Sequence, residues 1–287
     1  MRSVSLAAVI VVACSVCLLP APSQAGNFVA GAKFWYAYWD SAILDWFSKD
    51  VAVGFNVLGV PVNSDIDTGD GYLAGPVLGY QTDDGSISFT FAAMAFSHFS
   101  QDWTGTAGSM NLNTDVDTDR MDFDFAVAYS LSKYQDVWSP LRYLSLFGGF
   151  KYQTIDYDLS LKYMTLMGTR QFKYKLESEV YMGTVGAALA YPLSDKFGIG
   201  LQAGIGLALP ELELDYPDGS SVDLSPDATV TYNGEFTLNY MPTSSLLFQL
   251  GFRAQVWYLK ARSPQTWEET ESRDTTYGPT FTIVYRF

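Results

Sequence analysis

The chain is poor in charge, in histidine and in cysteine. Only 17% of its 287 residues are charged, it has a single histidine, His98, and its two cysteines, Cys14 and Cys17, both lie in the first 17 residues. A zinc centre or a thiol enzyme therefore lacks its ligands in the rest of the chain. Basic residues are scarce as well, 17 Lys and Arg against 31 Asp and Glu, so the footprint that a nucleic-acid partner requires is missing. Past residue 25 no apolar run reaches the length of a membrane-crossing helix. No glycine-rich phosphate loop links a strand to a helix, so nucleotide chemistry has no support and no cofactor is expected. What the chain does have is aromatic: 19 Tyr, 19 Phe and 7 Trp, with 24 Gly. That composition excludes intrinsic disorder.

The N-terminus reads as an export signal. Arg2 precedes an apolar run from Val4 to Leu19, and Ser23-Gln24-Ala25 places small residues for cleavage before Gly26. Val11-Val12-Ala13-Cys14 also fits a loose lipoprotein box, but the apolar run continues beyond it and a better cleavage site follows. Cleavage after residue 25 removes both cysteines and one basic residue, leaving 26–287 as a single acidic domain.

That domain alternates with period two. Phe197, Ile199, Leu201, Ala203, Ile205, Leu207 and Leu209 alternate with Gly198, Gly200, Gln202, Gly204, Gly206 and Ala208; Met121, Phe123, Phe125, Val127, Tyr129 and Leu131 alternate with Arg120, Asp122, Asp124, Ala126, Ala128 and Ser130. The segments around 228–240 and 245–260 behave alike. Runs of this length exceed an ordinary strand and suit a tilted membrane-crossing one. In lipid the apolar face points outward, and closure of the sheet satisfies the backbone. A soluble β-sandwich, the competing reading, would use shorter strands. Ten segments result: 27–40, 71–82, 86–99, 119–133, 141–156, 177–192, 196–210, 228–240, 245–260 and 275–287. Short turns, among them Thr82 to Gly85, Leu193 to Asp195 and Met241 to Ser244, alternate with long polar connections at 41–70, 100–118, 157–176, 211–227 and 261–274. The fold expected is a transmembrane antiparallel up-and-down β-barrel of about ten strands. Residues 51–62 are too apolar for an exposed loop; they either fold into the lumen or form a further hairpin, which would make twelve strands.

The chain ends Phe281-Thr282-Ile283-Val284-Tyr285-Arg286-Phe287. This resembles the closing-strand signature of bacterial outer-membrane barrels, with Phe281, Ile283, Tyr285 and Phe287 as the residues that the outer-membrane insertion machinery reads. The resemblance implies a bacterial outer-membrane location and silence about activity. It also implies outer-membrane lipids, lipopolysaccharide and the insertion machinery as partners, for a monomeric barrel. The cluster Phe34, Trp35, Tyr36, Tyr38 and Trp39 reads as an aromatic girdle at the outer interface.

By parity Lys33, Lys151 and Arg253 face Asp122, Asp124 and Glu235 across the lumen. Buried charges must be paired, so this is either a salt-bridged plug or the lining of a narrow channel, whose acidic rim would favour small cationic or neutral solutes. The first reading makes the protein a non-enzymatic structural or surface-interaction barrel of the OmpA/opacity-like kind.

A third reading rests on His98-Phe99-Ser100, which resembles the His-X-Ser of outer-membrane phospholipase and lipid A deacylase barrels. It implies His98 as base and Ser100 as nucleophile. Gln101 departs from the Asn that follows the serine there, no orienting acid can be assigned, and counting from Ile87, Phe89 and Phe91 sends both residues into the lumen. Omptin proteases, also ten-stranded, need an Asp-X-His pair, and residue 96 is Phe. Asp115, Asp117 and Asp119, with Asp65, Asp67 and Asp70, form acidic rims of the oxygen chemistry that suits calcium. An EF-hand is excluded by Arg120 and Ala126 at its glycine and glutamate positions; the plainer reading is a solvated acidic rim.

Overall fold

The computed structural model describes residues 27–57, 62–107, 110–165, 168–224, 226–262 and 269–287. The export signal therefore lies outside the described residues. In chain order the elements are β1 (Asn27–Asp40), α1 (Ala42–Val57), β2 (Val62–Ile66), β3 (Gly69–Gln81), β4 (Ile87–Met94), β5 (Phe96–Ala107), β6 (Met110–Ser130), β7 (Leu144–Thr165), β8 (Gly168–Pro192), β9 (Phe197–Asp215), β10 (Ser221–Leu224), β11 (Thr229–Thr243), β12 (Leu246–Arg262) and β13 (Glu269–Arg286). β1 pairs with β13 on one side and β3 on the other, which closes an antiparallel ring of ten strands: β1, β13, β12, β11, β9, β8, β7, β6, β4 and β3. β2 and β5 pair with each other above the ring, continuing β3 and β4 outward, and β10 folds back on β9. The barrel is ten-stranded as the alternation predicts. Of residues 51–62, 51–57 are the end of α1, 58–61 lie outside the described residues, and Val62 opens β2, which pairs with β5.

β9 shows how the sequence sets the wall. Along its lower part Phe197, Leu201, Ile205, Leu207 and Leu209 point outward and are exposed, while the inward positions are Gly198, Gly200, Gln202, Gly204 and Gly206. Above Leu209 the pattern turns inside out. Glu211 and Glu213 now point outward and Leu212 and Leu214 are buried inside. β7 and β8 turn at the same height: Phe150 and Val185 are exposed below, whereas Ile155, Tyr157, Leu159, Leu176 and Val180 fill the interior above. Below the switch the barrel is built for lipid, with its apolar face out; above it the wall is that of a water-soluble protein with a hydrophobic core. Tyr152 and Tyr181 mark the boundary, their ring centroids 5.0 Å apart, where amphipathic rings prefer to lie.

This switch explains one departure from the sequence reading. The connections at 100–118 and 157–176 look like polar loops because their outward face loses its apolar residues. They are nonetheless paired strand, with β6 joined to β7 from Ser130↔Ser145 up to Leu112↔Tyr163, and β7 to β8 up to Thr165↔Gly168. Pairing depends on the backbone and continues once the strand leaves the hydrocarbon, where an apolar outer face is no longer needed.

A second departure concerns the girdle. Phe34 and Tyr38 are exposed on the outer wall, with Phe34 stacked on Tyr72 and Tyr38 on Tyr277. Trp35 and Trp39 have the opposite parity and are fully buried inside the barrel. Trp39 packs edge-on against Phe99, ring centroids 5.1 Å apart, and small wall residues make room for the interior phenylalanines. A Cβ at Gly71 would lie 2.6 Å from the Phe99 ring, and one at Gly186 would lie 2.5 Å from the Phe147 ring.

Candidate functional site

The site is the lumen. Its upper half holds α1. Ser41 caps the helix, its Oγ accepting from the Leu44 N–H at 3.2 Å and sharing a 2.6 Å hydrogen bond with the Tyr157 hydroxyl. Asp274 Oδ2 accepts from Trp39 Nε1 at 2.9 Å and lies 3.4 Å from the Ala42 N–H, so a carboxylate sits at the positive end of the helix. Ala42, Ile43, Leu44, Trp46 and Phe47 are all buried, packed into one cluster with Phe99, Val116, Ile155, Leu176, Leu212, Trp257 and Leu259. Burying a large apolar side chain is worth about 2 kcal/mol, so the four large residues of this turn hold α1 firmly in the barrel mouth.

Beneath α1 the interior becomes polar. Asp122 is the hub: its Oδ1 accepts from Arg120 Nε at 2.9 Å, and its Oδ2 from Arg120 Nη2 at 3.1 Å and Lys151 Nζ at 2.6 Å. Arg120 also donates to Thr276 Oγ1 at 2.9 Å and Gln153 Oε1 at 3.2 Å, and its guanidinium lies 5.2 Å from the Trp39 ring centroid. Lys151 donates to Gln255 Oε1 at 2.6 Å. Lower down, Arg253 reaches across to Asp124 Oδ2 with both terminal nitrogens, at 3.0 and 3.1 Å, and lies 5.0 Å from the Trp35 ring centroid. Lys33 Nζ donates to both Glu235 oxygens at 2.8 and 2.9 Å, and Thr280 donates to Oε1 at 3.2 Å.

The structure thus brings Lys33, Asp122, Asp124, Lys151, Glu235 and Arg253 together as inward neighbours. Arg120 and Asp274 complete the interior, and neither was singled out among the candidate site residues. Arg120 was legible from the β6 alternation; Asp274 was not, because its segment reads as loop. Below the ion pairs a cavity of about 490 Å³ is lined by Lys33, Asp124, Lys151, Glu235, Arg253 and Gln255, among others. A second space of about 300 Å³, lined by residues of the turn-side mouth such as Asn27, Gln81 and Ser245, adjoins it.

His98 and Ser100 correct an expectation. Both are exposed on the outer wall, while Phe99 and Gln101 are buried inside. The cause is a β-bulge. Val77 pairs with Ala92 and Ala74 with Phe96, so three steps along β3 oppose four along β4 and β5. The extra residue, Ala95, reverses the alternation. At the bulge the backbones are pressed together: a Cβ on Gly75 would lie 1.7 Å from the Ala93 carbonyl oxygen. His98 is paired with Tyr72 and Ser100 with Asp70, the carboxylate that accepts from the Tyr36 hydroxyl.

Asp117 and Asp119 are exposed on the outer wall above the switch, as are Asp67 and Asp70. Pairing sets Asp119, Asp156, Glu177 and Glu213 side by side across β6 to β9. Among the described residues no three acidic, His or Cys side chains converge to hold a metal ion. Phe281 and Tyr285 are exposed on the outer wall of β13, with the Tyr285 ring 5.1 Å from that of Phe287.

No protein-family model matches the chain, and no curated protein does. Solved structures do. The outer membrane protease OmpT from Escherichia coli superposes with a TM-score of 0.57 at 10% identity, over 91% of this chain and 97% of that one. The translocator domain of the autotransporter NalP from Neisseria meningitidis gives a TM-score of 0.43 at 11% identity, over 98% of this chain and 93% of that one. At such identity the likeness to OmpT speaks for architecture alone, and with the outward apolar band it fixes that architecture: the chain has the fold of a bacterial outer-membrane β-barrel.

Proposed function

We propose that the protein is a non-enzymatic outer-membrane barrel that works as a structural or surface-interaction element and does not conduct. The observation that carries this reading is the filling of the upper lumen: α1, Trp35, Trp39 and Trp257 are buried there, on top of the ion pairs around Asp122. Burial of this kind supports a lumen closed to solutes between the cavity and the outer mouth. The reading takes the barrel as a monomer that meets lipopolysaccharide and other outer-membrane lipids along its wall. It also takes the alternate apolar residues Phe281, Ile283, Tyr285 and Phe287 as the mark for the insertion machinery. Planar-bilayer recording of the refolded mature chain tests it, with folding verified by heat-modifiable gel migration. A silent bilayer is expected. Discrete, salt-dependent steps overturn it in favour of a narrow channel.

One observation favours a second reading, a lipid hydrolase. Ala95 turns His98 and Ser100 to the outer wall, beside the tyrosines of the interface, where a lipid substrate would lie. Turnover of phospholipid or lipid A by the folded barrel, abolished in both His98→Ala and Ser100→Ala, would establish it. Absence of turnover, or full activity in both variants, ends it.

A further inference from the structure

One connection on the turn side is unlike the others. Residues 82–86, 193–196 and 244–245 turn tightly, whereas 131–143, between β6 and β7, is long and winds through two short 3₁₀ turns, Ser132–Tyr134 and Ser139–Tyr143. Its apolar residues face outward: Val137 is 83% and Trp138 60% exposed, and Tyr134 and Leu193, the latter on the next turn, are exposed as well. A loop in water gains nothing from that composition. At the foot of a lipid-facing wall it has a burial site, the headgroup zone of the adjoining leaflet. Short turns mark the periplasmic side of an outer-membrane barrel, so that leaflet is the inner one.

Two cations frame the segment. The turn leaves the wall where the Leu131 N–H donates to the Leu144 carbonyl at 2.9 Å. Lys133 follows two residues below on one arm, and Arg142 stands two residues below on the other. Tyrosines hold both on the outer face. Lys133 Nζ lies 4.6 Å from the Tyr129 ring centroid and 5.5 Å from that of Tyr134, and Tyr129 shares its strand face with the exposed Phe125. The Arg142 guanidinium lies 4.9 Å from the Tyr143 ring centroid. That ring packs on Tyr191 at 4.9 Å, on the face of the exposed Val185. Stacking on a ring positions a cation without cancelling its charge. Neither cation forms an ion pair among the described residues. Asp136, on the same turn, pairs with neither, and Asp84, on the adjoining turn, is engaged by Thr82 and Ser86.

We propose that the foot of β6 and β7 is a binding site for an anionic phospholipid of the inner leaflet, of the phosphatidylglycerol class, its phosphodiester held between Lys133 and Arg142. The acyl chains run up the wall over Leu146 and Val185, both exposed on the lipid face. A zwitterionic headgroup brings its own ammonium to the phosphate and has less use for two free cations. A lipid suits the site better than a free phosphate ion, because the cations stand on a face that continues into the apolar band. The same strands end in outward acids at the other rim, Asp119, Asp156 and Glu177, so this side of the wall meets its two leaflets with opposite charge. The proposal rests on the outer-membrane architecture and stands whether or not the barrel conducts.

Native mass spectrometry of the refolded mature protein tests it, in non-ionic detergent with equal amounts of chain-matched phosphatidylglycerol and phosphatidylethanolamine. The wild type should retain the anionic lipid at least ~10-fold over the zwitterionic one. The double variant Lys133→Gln/Arg142→Gln should lose that preference, whereas Lys175→Gln/Lys260→Gln, which removes the same charge from the opposite end of the wall, should keep it. An excess of glycerol 3-phosphate should leave the lipid bound. No preference in the wild type, equal retention in the two double variants, or displacement by glycerol 3-phosphate overturns the proposal. Heat-modifiable gel migration verifies folding; should the first double variant fail to fold, Arg142→Gln alone is expected to weaken the preference.

Discussion

Asp122 holds two cations with one carboxylate, and all three side chains are almost wholly out of solvent. Asp122→Asn keeps the shape and removes the charge, leaving Arg120 and Lys151 buried without it. Breaking a buried pair in this way costs about 3–5 kcal/mol. Lys260→Gln, which breaks the half-exposed pair with Glu271 on the collar of paired strand above the switch, should cost less than about 1 kcal/mol. Urea unfolding of the two variants, each folded in detergent, checks the contrast; equal midpoints would show that the lumen pair is not a structural hub. A milder case lies in the turn after β3. The Asp84 carboxylate accepts from the Thr82 hydroxyl at 2.6 Å and the Ser86 N–H at 3.0 Å, which hold its pKa down to about 2. A depressed carboxylate contributes to stability above its unfolded pKa of about 4 and loses the contribution as the pH falls through about 2. The turn should therefore keep its order at pH 5 and loosen below pH 3. Amide exchange at Ser86, followed across that range against Asp84→Asn, reads it.

At the scale of the strand, the sequence carried the alternation but not its interruption. The lower β9 and β12 were legible because every outward residue there is apolar, and lipid enforces that choice. β4 and β5 were misread at one residue: Ala95 looks like any other apolar position, and nothing in a local pattern distinguishes a bulge from a step. Only the pairing partners, Ala92 with Val77 and Phe96 with Ala74, reveal it. The consequence is testable by labelling. His98→Cys should react readily with a water-soluble maleimide on the folded barrel, whereas Phe99→Cys should react at least ~100-fold more slowly. The reverse order would mean that the bulge is absent. α1 was partly legible, since Ala42, Ile43, Trp46 and Phe47 line one helical face. Its role in the mouth was not, because the strands that receive it, upper β6 to β9, read as loops.

For the molecule as a whole, composition and periodicity settled the architecture, and the lumen charges followed from parity. The aromatics misled for a physical reason. Trp35 and Trp39 sit among five aromatic residues of 34–39, interrupted only by Ala37, and such a segment satisfies a girdle and a core alternately, so residue type cannot assign the side. Burial decides it, and burial depends on partners from distant strands, Arg120, Arg253, Tyr157 and Asp274 among them.

The inside-out switch above Leu209 bears on how the barrel reaches its place. Asp117, Asp119, Asp158, Glu179, Glu211 and Glu213 all point outward beyond the lipid band. Each of them had to be carried past the hydrocarbon during assembly, and each would have to be dragged back for the barrel to leave. A charge on the lipid-facing side at mid-depth costs on the order of a few kcal/mol, less for an acid than for a base. Six together act as barbs: insertion is a one-way passage, and the collar locks the finished molecule in its orientation.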